Sequence, residues 1–225
     1  MKISFLISHY NRPDSLKNCI GSILNLNLNK KKFEIVISDD NSDEVNLNKI
    51  KNYTFDRLIT SKTNTGLASN LNRGIKKCEG EFIVYIQEDF IFLEESKSHI
   101  LRSIEFIQNG KSEMIRFKSP NYFKKFKTID SFKLIPRFSF KNFLFEHYRY
   151  SDNPYIVEKS FFEKYGLYKE NVNTSYGECE YMVRMMKLNP KIATLSVNIV
   201  MHNDIEGSVR EKNKINNRVT HLGRN

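Results

Sequence analysis

The sequence has few cysteines, and none of them stands in a pairing pattern. Cys19, Cys78 and Cys179 are odd in number, far apart and free of any C-x-x-C spacing. Disulfide frameworks and structural zinc sites both need several cysteines at short, regular intervals. The cysteine content therefore argues against both, and it favours a reducing, cytoplasmic compartment.

Long apolar runs are also missing. The longest are short, such as residues 82–86 (FIVYI), whereas a membrane-spanning helix needs about 20 consecutive apolar residues. The N-terminal stretch MKISFLISHYNRPD turns polar too early to form the core of a signal peptide. We therefore expect neither a transmembrane helix nor a secretion signal.

Glycine is absent from the first predicted strand–helix turn, HYNRPDS. Nicotinamide-binding and P-loop motifs place glycines where the backbone approaches phosphate. Both classes are therefore disfavoured, and so is a sugar-nucleotide pyrophosphorylase with its glycine-rich first turn. A nucleotide would instead bind through side chains, with Tyr10 stacking on the base, Arg12 near the phosphates and Asp40 on the base or the ribose.

The remaining composition is that of a basic, folded chain. Its 225 residues are 40% hydrophobic and 28% charged, which is enough to build the core of one domain. A total of 36 Lys and Arg against 26 Asp and Glu gives a net charge of +10. This excess favours anionic partners, among which nucleic acid, sugar nucleotides and acidic membrane surfaces all qualify.

The first 110 residues alternate between predicted strands and helices. Candidate strands cover 2–8, 33–38, 57–61 and 81–86, and amphipathic helices follow the first, third and fourth of them. This order predicts an α/β fold with a mostly parallel sheet covered on both faces. Because ligands of such sheets bind beyond the carboxyl ends of the strands, we expect the polar clusters that end three of these strands to converge. These clusters are 8–12, 39–40 and 87–89.

Three segments together resemble the N-terminal half of family-2 glycosyltransferases of the GT-A fold. They are ISFLISHYNRPDSLKNCIGSIL, EIVISDDNSDE and NTGLASNLNRGIKKCEGEFIVYIQEDF, and they match in order and spacing over residues 1–110. The resemblance implies a nucleotide-sugar donor, a divalent metal (Mn²⁺ or Mg²⁺) and inversion at the anomeric carbon. It also implies one continuous GT-A domain, in which residues 1–110 bind the nucleotide sugar and residues 111–225 bind the acceptor.

The resemblance assigns site residues in the first half. Asp40 matches the carboxylate that holds the base, ahead of its neighbour Asp39, and Gln87-Glu88-Asp89 occupies the place of an Asp-x-Asp-type motif. Asp89 would bind the metal and Glu88 would face the ribose or the waters of the metal. A divalent cation held by carboxylates and phosphates neutralises the charge that builds on a departing diphosphate. The nucleotide-binding positions implied are Ser8, Tyr10, Arg12, Asp39, Asp40, Gly66, Asn70 and Glu88.

A fainter similarity continues at residues 176–184 (YGECEYMVR), which resemble the acidic segment that precedes an arginine in this family. Inversion in one step needs a general base that takes the proton of the acceptor hydroxyl. Glu178, six residues before Arg184, is the implied base, and Glu180 is the reserve. The alternative is that both are exposed acids stabilised by the dipole of a helix N-terminus.

Three positions in the second half belong to the expected metal and diphosphate region. His202 resembles a late histidine that completes the metal shell in some GT-A enzymes, and imidazole suits Mn²⁺ better than Mg²⁺. A capping or merely buried histidine is the alternative. Arg184 and Arg210 are expected to contact the diphosphate or the acceptor.

Residues 111–150 are basic and aromatic, with ten Lys or Arg, three Asp or Glu and eleven Phe or Tyr. They form either half-buried sheet or an acceptor platform on which rings stack on sugars and lysines meet a lipid-linked diphosphate or an anionic membrane. A nucleic-acid-binding protein would share this composition, but it would not explain carboxylates at two strand ends.

The function expected from the sequence is therefore a metal-dependent, inverting transfer. The donor would be a UDP-sugar and the acceptor a hydroxyl of a glycan or a lipid-linked molecule, in bacterial surface polysaccharide synthesis, with no nucleic-acid partner. The location expected is the cytoplasm or the inner face of the membrane. A non-catalytic relative that binds sugar nucleotide or glycan without turnover remains an alternative.

Overall fold

The computed structural model describes residues 2–118, 126–139, 149–172, 174–203 and 205–207, with the side chains of 174–176 left out. Arg210, the end of the basic C-terminal stretch and much of the aromatic segment 111–150 lie outside the described residues. In the part of the chain that is described, no helix is both long enough and apolar enough to cross a bilayer.

The first half forms four parallel strands in the order β3-β2-β1-β4, so that β1 lies between β2 and β4. All seven residues of β1 and all seven of β2 are buried, as expected of strands covered on both faces. The strands are β1 (Ile3–His9), β2 (Phe33–Asp39), β3 (Arg57–Thr60) and β4 (Phe82–Gln87). The helices are α1 (Pro13–Leu24), α2 (Glu44–Ile50), α3 (Leu67–Lys77) and α4 (Ser96–Gln108), and a short 3₁₀ turn covers Lys30–Lys32.

The second half extends the same sheet, whose full order is β3-β2-β1-β4-β9-β6-β10-β8-β7. β9 runs antiparallel to both β4 and β6 and joins the strands of the two halves. A separate antiparallel ribbon pairs β5 with β11. The additional elements are β5 (Phe90–Phe92), β6 (Met114–Arg116), β7 (Lys127–Ile129), β8 (Phe132–Leu134), β9 (Tyr155–Glu158), α5 (Ser160–Tyr165), α6 (Thr174–Leu188), β10 (Ile192–Leu195) and β11 (Val200–His202).

The stretch 192–201, which the sequence pattern indicates as a single strand, forms two strands in two different sheets. β10 pairs with β6 and β8 in the main sheet, whereas β11 pairs with β5. Residues 196–198 between them are exposed. The chain therefore leaves the core after β10 and returns with His202 beside the end of β4.

The core has two layers, one on each face of the sheet. Phe5 and Ile7 of β1 pack in the cluster that contains Leu16 of α1. Leu6, between them, points to the opposite face and packs in the cluster that contains Leu71 of α3. This alternation follows the period of two of a β-strand, and it holds the carboxyl ends of the strands at one edge.

Candidate active site

His9 links the carboxyl ends of β1 and β2. Its Nδ1 lies 2.7 Å from Oδ2 of Asp39, and its Nε2 accepts the backbone N–H of Arg12 at 3.1 Å. A ring nitrogen that accepts a hydrogen bond carries no proton, so the proton of the neutral ring sits on Nδ1 and is donated to Asp39. This buried pair fixes the turn that places Arg12. No motif in the sequence points to His9, because its partner lies 30 residues away and meets it only through the register of the two strands.

Asp39 is fully buried and serves the adjacent loop. It accepts hydrogen bonds from the backbone N–H of Ser42 at 2.9 Å and from the Ser42 hydroxyl at 2.5 Å. Burial alone would raise the pKa of Asp39, but the hydrogen bonds from His9 and Ser42 outweigh it and lower that pKa below its ordinary value. The carboxylate is therefore a fixed negative charge beneath the site.

Asp40 reaches towards the start of α3. Its carboxylate accepts hydrogen bonds from the hydroxyl of Thr65 at 2.7 Å, the backbone N–H of Gly66 at 2.6 Å and the guanidinium of Arg73 at 3.0 Å. Gly66 has a positive φ of 82°, a conformation that glycine adopts without strain. Neither Thr65 nor Arg73 was singled out by the sequence, although both stand within the segment that carried the family resemblance.

Asn70 and Ser8 are buried next to these acids. The amide nitrogen of Asn70 donates to the backbone oxygen of Ser38 at 2.8 Å, and its amide oxygen accepts the Ser38 hydroxyl at 2.6 Å. The hydroxyl of Ser8 lies 3.5 Å from that of Tyr85. Asn70 thus fastens α3 to β2. Tyr10 is only half-buried, on the turn that follows β1.

The acids that follow β4 meet the guanidinium of Arg12. Arg12 Nη1 lies 2.9 Å from Oδ2 of Asp89 and 3.5 Å from Oε1 of Glu88. Burial raises the pKa of Glu88 to about 7, and the negative charge of Asp89 adds to the rise. On the other side of Asp89, Nε2 of His202 approaches Oδ2 at 3.1 Å. The first turn, the end of β4 and the end of β11 therefore come together at one place.

The chemistry of this cluster fits a divalent cation. Oδ1 of Asp89 is buried, and it makes no hydrogen bond with any of the described residues. An unsatisfied carboxylate oxygen beside an imidazole offers the donors that Mn²⁺ accepts. Within the described ranges no three His, Cys, Asp or Glu side chains come together as a ligand group. Asp89 and His202 are the two residues of the cluster that would hold a cation, and phosphates of a substrate commonly supply further ligands.

Glu178 lies on α6 and is connected to the end of β4 through Asp152. Its Oε1 accepts the backbone N–H of Asp152 at 3.3 Å, and the backbone oxygen of Asp152 accepts the side-chain amide of Gln87 at 3.2 Å. Gln87 immediately precedes the acids Glu88 and Asp89. Asp152 was not singled out by the sequence, since no motif surrounds it.

Glu180 and Arg184 bind each other along the same helix. The two oxygens of Glu180 accept from Nε and Nη2 of Arg184 at 3.0 and 2.5 Å. Arg184 also donates to the backbone oxygen of Leu167 at 2.6 Å. Two residues along a helix turn a side chain by about 200°, so Glu178 and Glu180 point in nearly opposite directions.

The structure therefore brings together most of the residues that the sequence singled out, and leaves some apart. Glu178 approaches this group through Asp152, Glu180 and Arg184 form a separate ion pair, and Arg210 lies outside the described residues. The residues gathered at the carboxyl edge of the sheet are Ser8, Tyr10, Arg12, Asp39, Asp40, Gly66, Asn70, Glu88, Asp89 and His202.

The architecture is that of the GT-A fold, as the sequence resemblance implied, and solved structures confirm it. TarS of S. aureus, residues 1–349 in complex with UDP-GlcNAc, superposes with a TM-score of 0.69 at 20% identity, over 92% of this chain and 60% of TarS. The mannosyltransferase PcManGT of Pyrobaculum calidifontis, in complex with GDP-Man and Mn²⁺, superposes with a TM-score of 0.61 at 12% identity, over 87% of this chain and 57% of that one.

The family is shown by the sequence itself. The model of glycosyl transferase family 2 matches residues 4–172, and the chain belongs to this family. It is 29% identical over 112 residues to the poly-beta-1,6-N-acetyl-D-glucosamine synthase of Staphylococcus epidermidis. It is 28% identical over 122 residues to the poly(ribitol-phosphate) beta-glucosyltransferase of Bacillus spizizenii. These matches cover 48% and 51% of this chain but only 26% and 18% of the two relatives, so the chain matches a minor part of each.

Proposed function

We propose that this chain is an inverting glycosyltransferase that moves a sugar from a UDP-sugar to a hydroxyl of a glycan or a lipid-linked acceptor in bacterial surface polysaccharide synthesis. The observation that carries the proposal is the orphaned Oδ1 of Asp89, which lies in a cluster with Arg12 and His202 at the carboxyl edge of the sheet. The names of the relatives support the substrate class, since one is a poly-beta-1,6-N-acetyl-D-glucosamine synthase and the other a poly(ribitol-phosphate) beta-glucosyltransferase. The UDP-GlcNAc complex of TarS supports the choice of donor.

The donor would bind across the first turn. Tyr10, which is half-buried, would stack on the base, and Asp40 would contact the base or ribose while it keeps the start of α3 in place. Arg12 contacts Asp89 and Glu88 at this edge. Its guanidinium would also contact the diphosphate. Asp89 and His202 would hold Mn²⁺ or Mg²⁺, which when bound supplies positive charge next to the departing diphosphate.

Glu178 would act as the general base. Its carboxylate would take the proton from the acceptor hydroxyl while that oxygen attacks the anomeric carbon from the face opposite the diphosphate. General base catalysis of this kind contributes roughly 10²–10⁴ in rate. The backbone N–H of Asp152 holds one oxygen of Glu178, and the helix turns Glu180 away from it. These two observations favour Glu178 over Glu180 as the base.

Thermal unfolding in the presence of UDP, GDP, CMP and dTDP, each with and without Mn²⁺, tests the donor site. We expect one diphosphate nucleotide to stabilise the chain more strongly with Mn²⁺, since a ligand at a hundredfold excess over its dissociation constant adds about 2.7 kcal/mol. Asp89→Ala should abolish the enhancement by Mn²⁺. Glu163→Gln, an exposed change on α5, is the matched control and should leave it intact.

Sugar transfer or donor hydrolysis tests the catalytic part. Glu178→Gln should keep the nucleotide-dependent stabilisation and lose turnover by at least about 10²-fold. Nucleotide binding without any turnover of the wild-type chain would identify a non-catalytic relative. Salt-sensitive binding to oligonucleotides without preference for a nucleoside diphosphate would identify a nucleic-acid-binding protein.

A further inference from the structure

Asp152 stands at the end of a chain of tyrosine hydroxyls. The hydroxyl of Tyr150 donates to Oδ1 of Asp152 at 2.8 Å. The Tyr168 hydroxyl lies 2.6 Å from the hydroxyls of both Tyr150 and Tyr155. The three tyrosines are buried, at 1% to 5% exposure, so this network is isolated from water except at the end that carries the carboxyl group.

The hydrogen bonds of this chain have only one consistent direction. Each tyrosine has a single hydroxyl proton, and that of Tyr150 is used in its bond to Asp152. Tyr168 must therefore donate to Tyr150, and Tyr155 must donate to Tyr168. The three hydroxyl dipoles are thus aligned along the chain towards Asp152, and the last of them, that of Tyr150, holds its carboxyl group in place.

The other side of Asp152 faces Glu178. The backbone N–H of Asp152 donates to Oε1 of Glu178 at 3.3 Å. Both residues line a small cavity between α3 and α6, together with Leu67 and Tyr168. Gly177 faces α3, since a Cβ at that position would lie 3.4 Å from Cγ2 of Val172 and 3.9 Å from the Cβ of Ala68.

The charge of Asp152 responds to that of Glu178. Burial and, after it, the negative charge of Glu178 together raise the pKa of Asp152 to about 7, against the opposing effect of the hydrogen bond from Tyr150. Asp152 therefore holds a proton at mildly acidic pH and releases it near neutrality, where the proposed base operates.

We propose that Asp152 is a positioning residue for Glu178. Its backbone N–H fixes one oxygen of the base, and its own carboxyl group is held in place by the tyrosine chain. This inference rests on the proposed function, in which Glu178 is the base. When Asp152 releases its proton, a negative charge appears on the residue that holds Glu178 in place.

Glu88, whose pKa is also raised to about 7, contributes to the same pH range, whereas the other groups near Asp152 do not. Burial raises the pKa of each of the nearby tyrosines well above its usual range, so they stay neutral. Arg116 donates to the hydroxyl of Ser151, the neighbour of Asp152, and keeps its charge at all relevant pH values. The titratable and charged groups facing Asp152 are Glu178 on α6, Tyr85 and Glu88 on and after β4, Arg116 on β6, Tyr150 beside it, Tyr155 on β9 and Tyr168 after α5.

The first test measures the rate of UDP release from UDP-GlcNAc as a function of pH. The full chain is assayed with Mn²⁺ in about seven buffers between pH 5.5 and 8.5. We expect kcat of the wild-type chain to change about tenfold across an inflection near pH 7. Asp152→Asn keeps the backbone N–H and an acceptor for Tyr150, so it should reduce the inflection to the part that comes from Glu88 and leave KM for the donor unchanged. Glu163→Gln should behave as wild type. An inflection of the same size in Asp152→Asn and in the wild-type chain overturns the inference.

The second test needs no activity. Because the folded chain favours the neutral form of Asp152, it binds more protons than the unfolded chain between about pH 4 and pH 7, so stability falls as pH rises through this window. Asp152→Asn should lose the contribution of Asp152 to that fall and keep the contribution of Glu88, and Glu178→Gln should shift the Asp152 contribution to lower pH, as urea midpoints would show. Equal pH profiles for wild type and Glu178→Gln overturn the coupling.

The two tests separate the inference from the proposed function. A wild-type chain that binds no nucleotide and releases no UDP at any pH removes Glu178 as a base, whatever the urea midpoints show. Turnover that is lost in Glu178→Gln, together with an unchanged profile in Asp152→Asn, supports the proposed function and rejects the positioning role.

Discussion

His9 and Asp39 form a fully buried pair, 2.7 Å apart, beneath the turn that carries Arg12. The imidazole uses both ring nitrogens, one towards Asp39 and one towards the backbone of Arg12. The side chain of His9 therefore connects the paired strands β1 and β2 to the turn that places the Arg12 guanidinium at the candidate active site.

Removing this imidazole should destabilise the fold. His9→Ala leaves the carboxylate of Asp39 buried without its main partner, a change that costs about 3–5 kcal/mol for a buried charge. Urea unfolding at pH 7 measures it. Lys62→Ala, on an exposed loop, should change stability by less than about 0.5 kcal/mol. A loss in His9→Ala as small as that of Lys62→Ala would contradict the role of the pair.

Asp39 should also make the fold sensitive to acid. Its pKa is lowered in the folded chain, so its stabilising contribution is present above the pKa of about 3.9 of the unfolded chain and is lost as pH falls through the folded value. Asp39→Asn should therefore be less stable than wild type at pH 6, and the difference should shrink towards pH 3. Urea midpoints across this range measure the trend, and a difference that grows at low pH would disprove it.

Two glycines in helices should respond in opposite ways to alanine. A Cβ at Gly74 of α3 would lie 2.3 Å from Cδ1 of the core residue Leu6, whereas a Cβ at Gly21 of α1 meets no atom within 4 Å. Gly74→Ala should cost about 1–3 kcal/mol through overpacking. Gly21→Ala should gain about 1 kcal/mol from helix propensity. Thermal unfolding of both variants checks this, and stabilisation of both would show that Leu6 moves aside freely.

Substitutions of Glu178 and Glu180 on α6 should differ in their effects on stability and on turnover. Glu180→Gln weakens the ion pair with Arg184 and should lower stability by less than about 1 kcal/mol, while turnover remains within about threefold of wild type. Glu178→Gln should show the reverse, with stability nearly unchanged at low pH and turnover lost. Urea unfolding and UDP release, measured on both variants, decide between them. Loss of turnover in Glu180→Gln alone would transfer the role of base to Glu180.

His202 should contribute to the metal and not to the nucleotide. Its Nε2 is 3.1 Å from Oδ2 of Asp89, the proposed metal ligand. His202→Ala should weaken the Mn²⁺-dependent stabilisation about 10-fold or more in apparent metal affinity and leave the metal-free effect of UDP intact. Titration of Mn²⁺ at saturating UDP measures it. An unchanged Mn²⁺ titration would remove His202 from the site.

Local patterns of apolar and polar residues predicted part of the fold. Short apolar runs at β1, β2 and β4, and the polar clusters that end them, were sufficient to predict the parallel sheet and the edge where Asp40 and Asp89 lie. α2 was not predicted, because only Ile50 of its residues is buried and its pattern carries no apolar stripe. The strand predicted over 192–201 was wrong in extent, since periodicity does not show which of two sheets a strand joins.

The side-chain partners could not be predicted in the same way. His9, Arg73 and Asp152 each act through a residue that is far along the chain and brought near by strand register or helix packing. No motif spacing encodes such contacts. The motifs indicated which residues belong to the site, and the tertiary structure determines which of them are already occupied by structural hydrogen bonds.

The position of β9 has a consequence for dissection of the protein. This strand comes from residues 155–158, yet it covers the flank of β4 with antiparallel hydrogen bonds. A fragment that stopped after α4 would expose that flank as a row of free backbone donors and acceptors, which is a template for pairing with another copy. A fragment truncated to the nucleotide-binding motifs alone should therefore self-associate and should not fold as an independent domain.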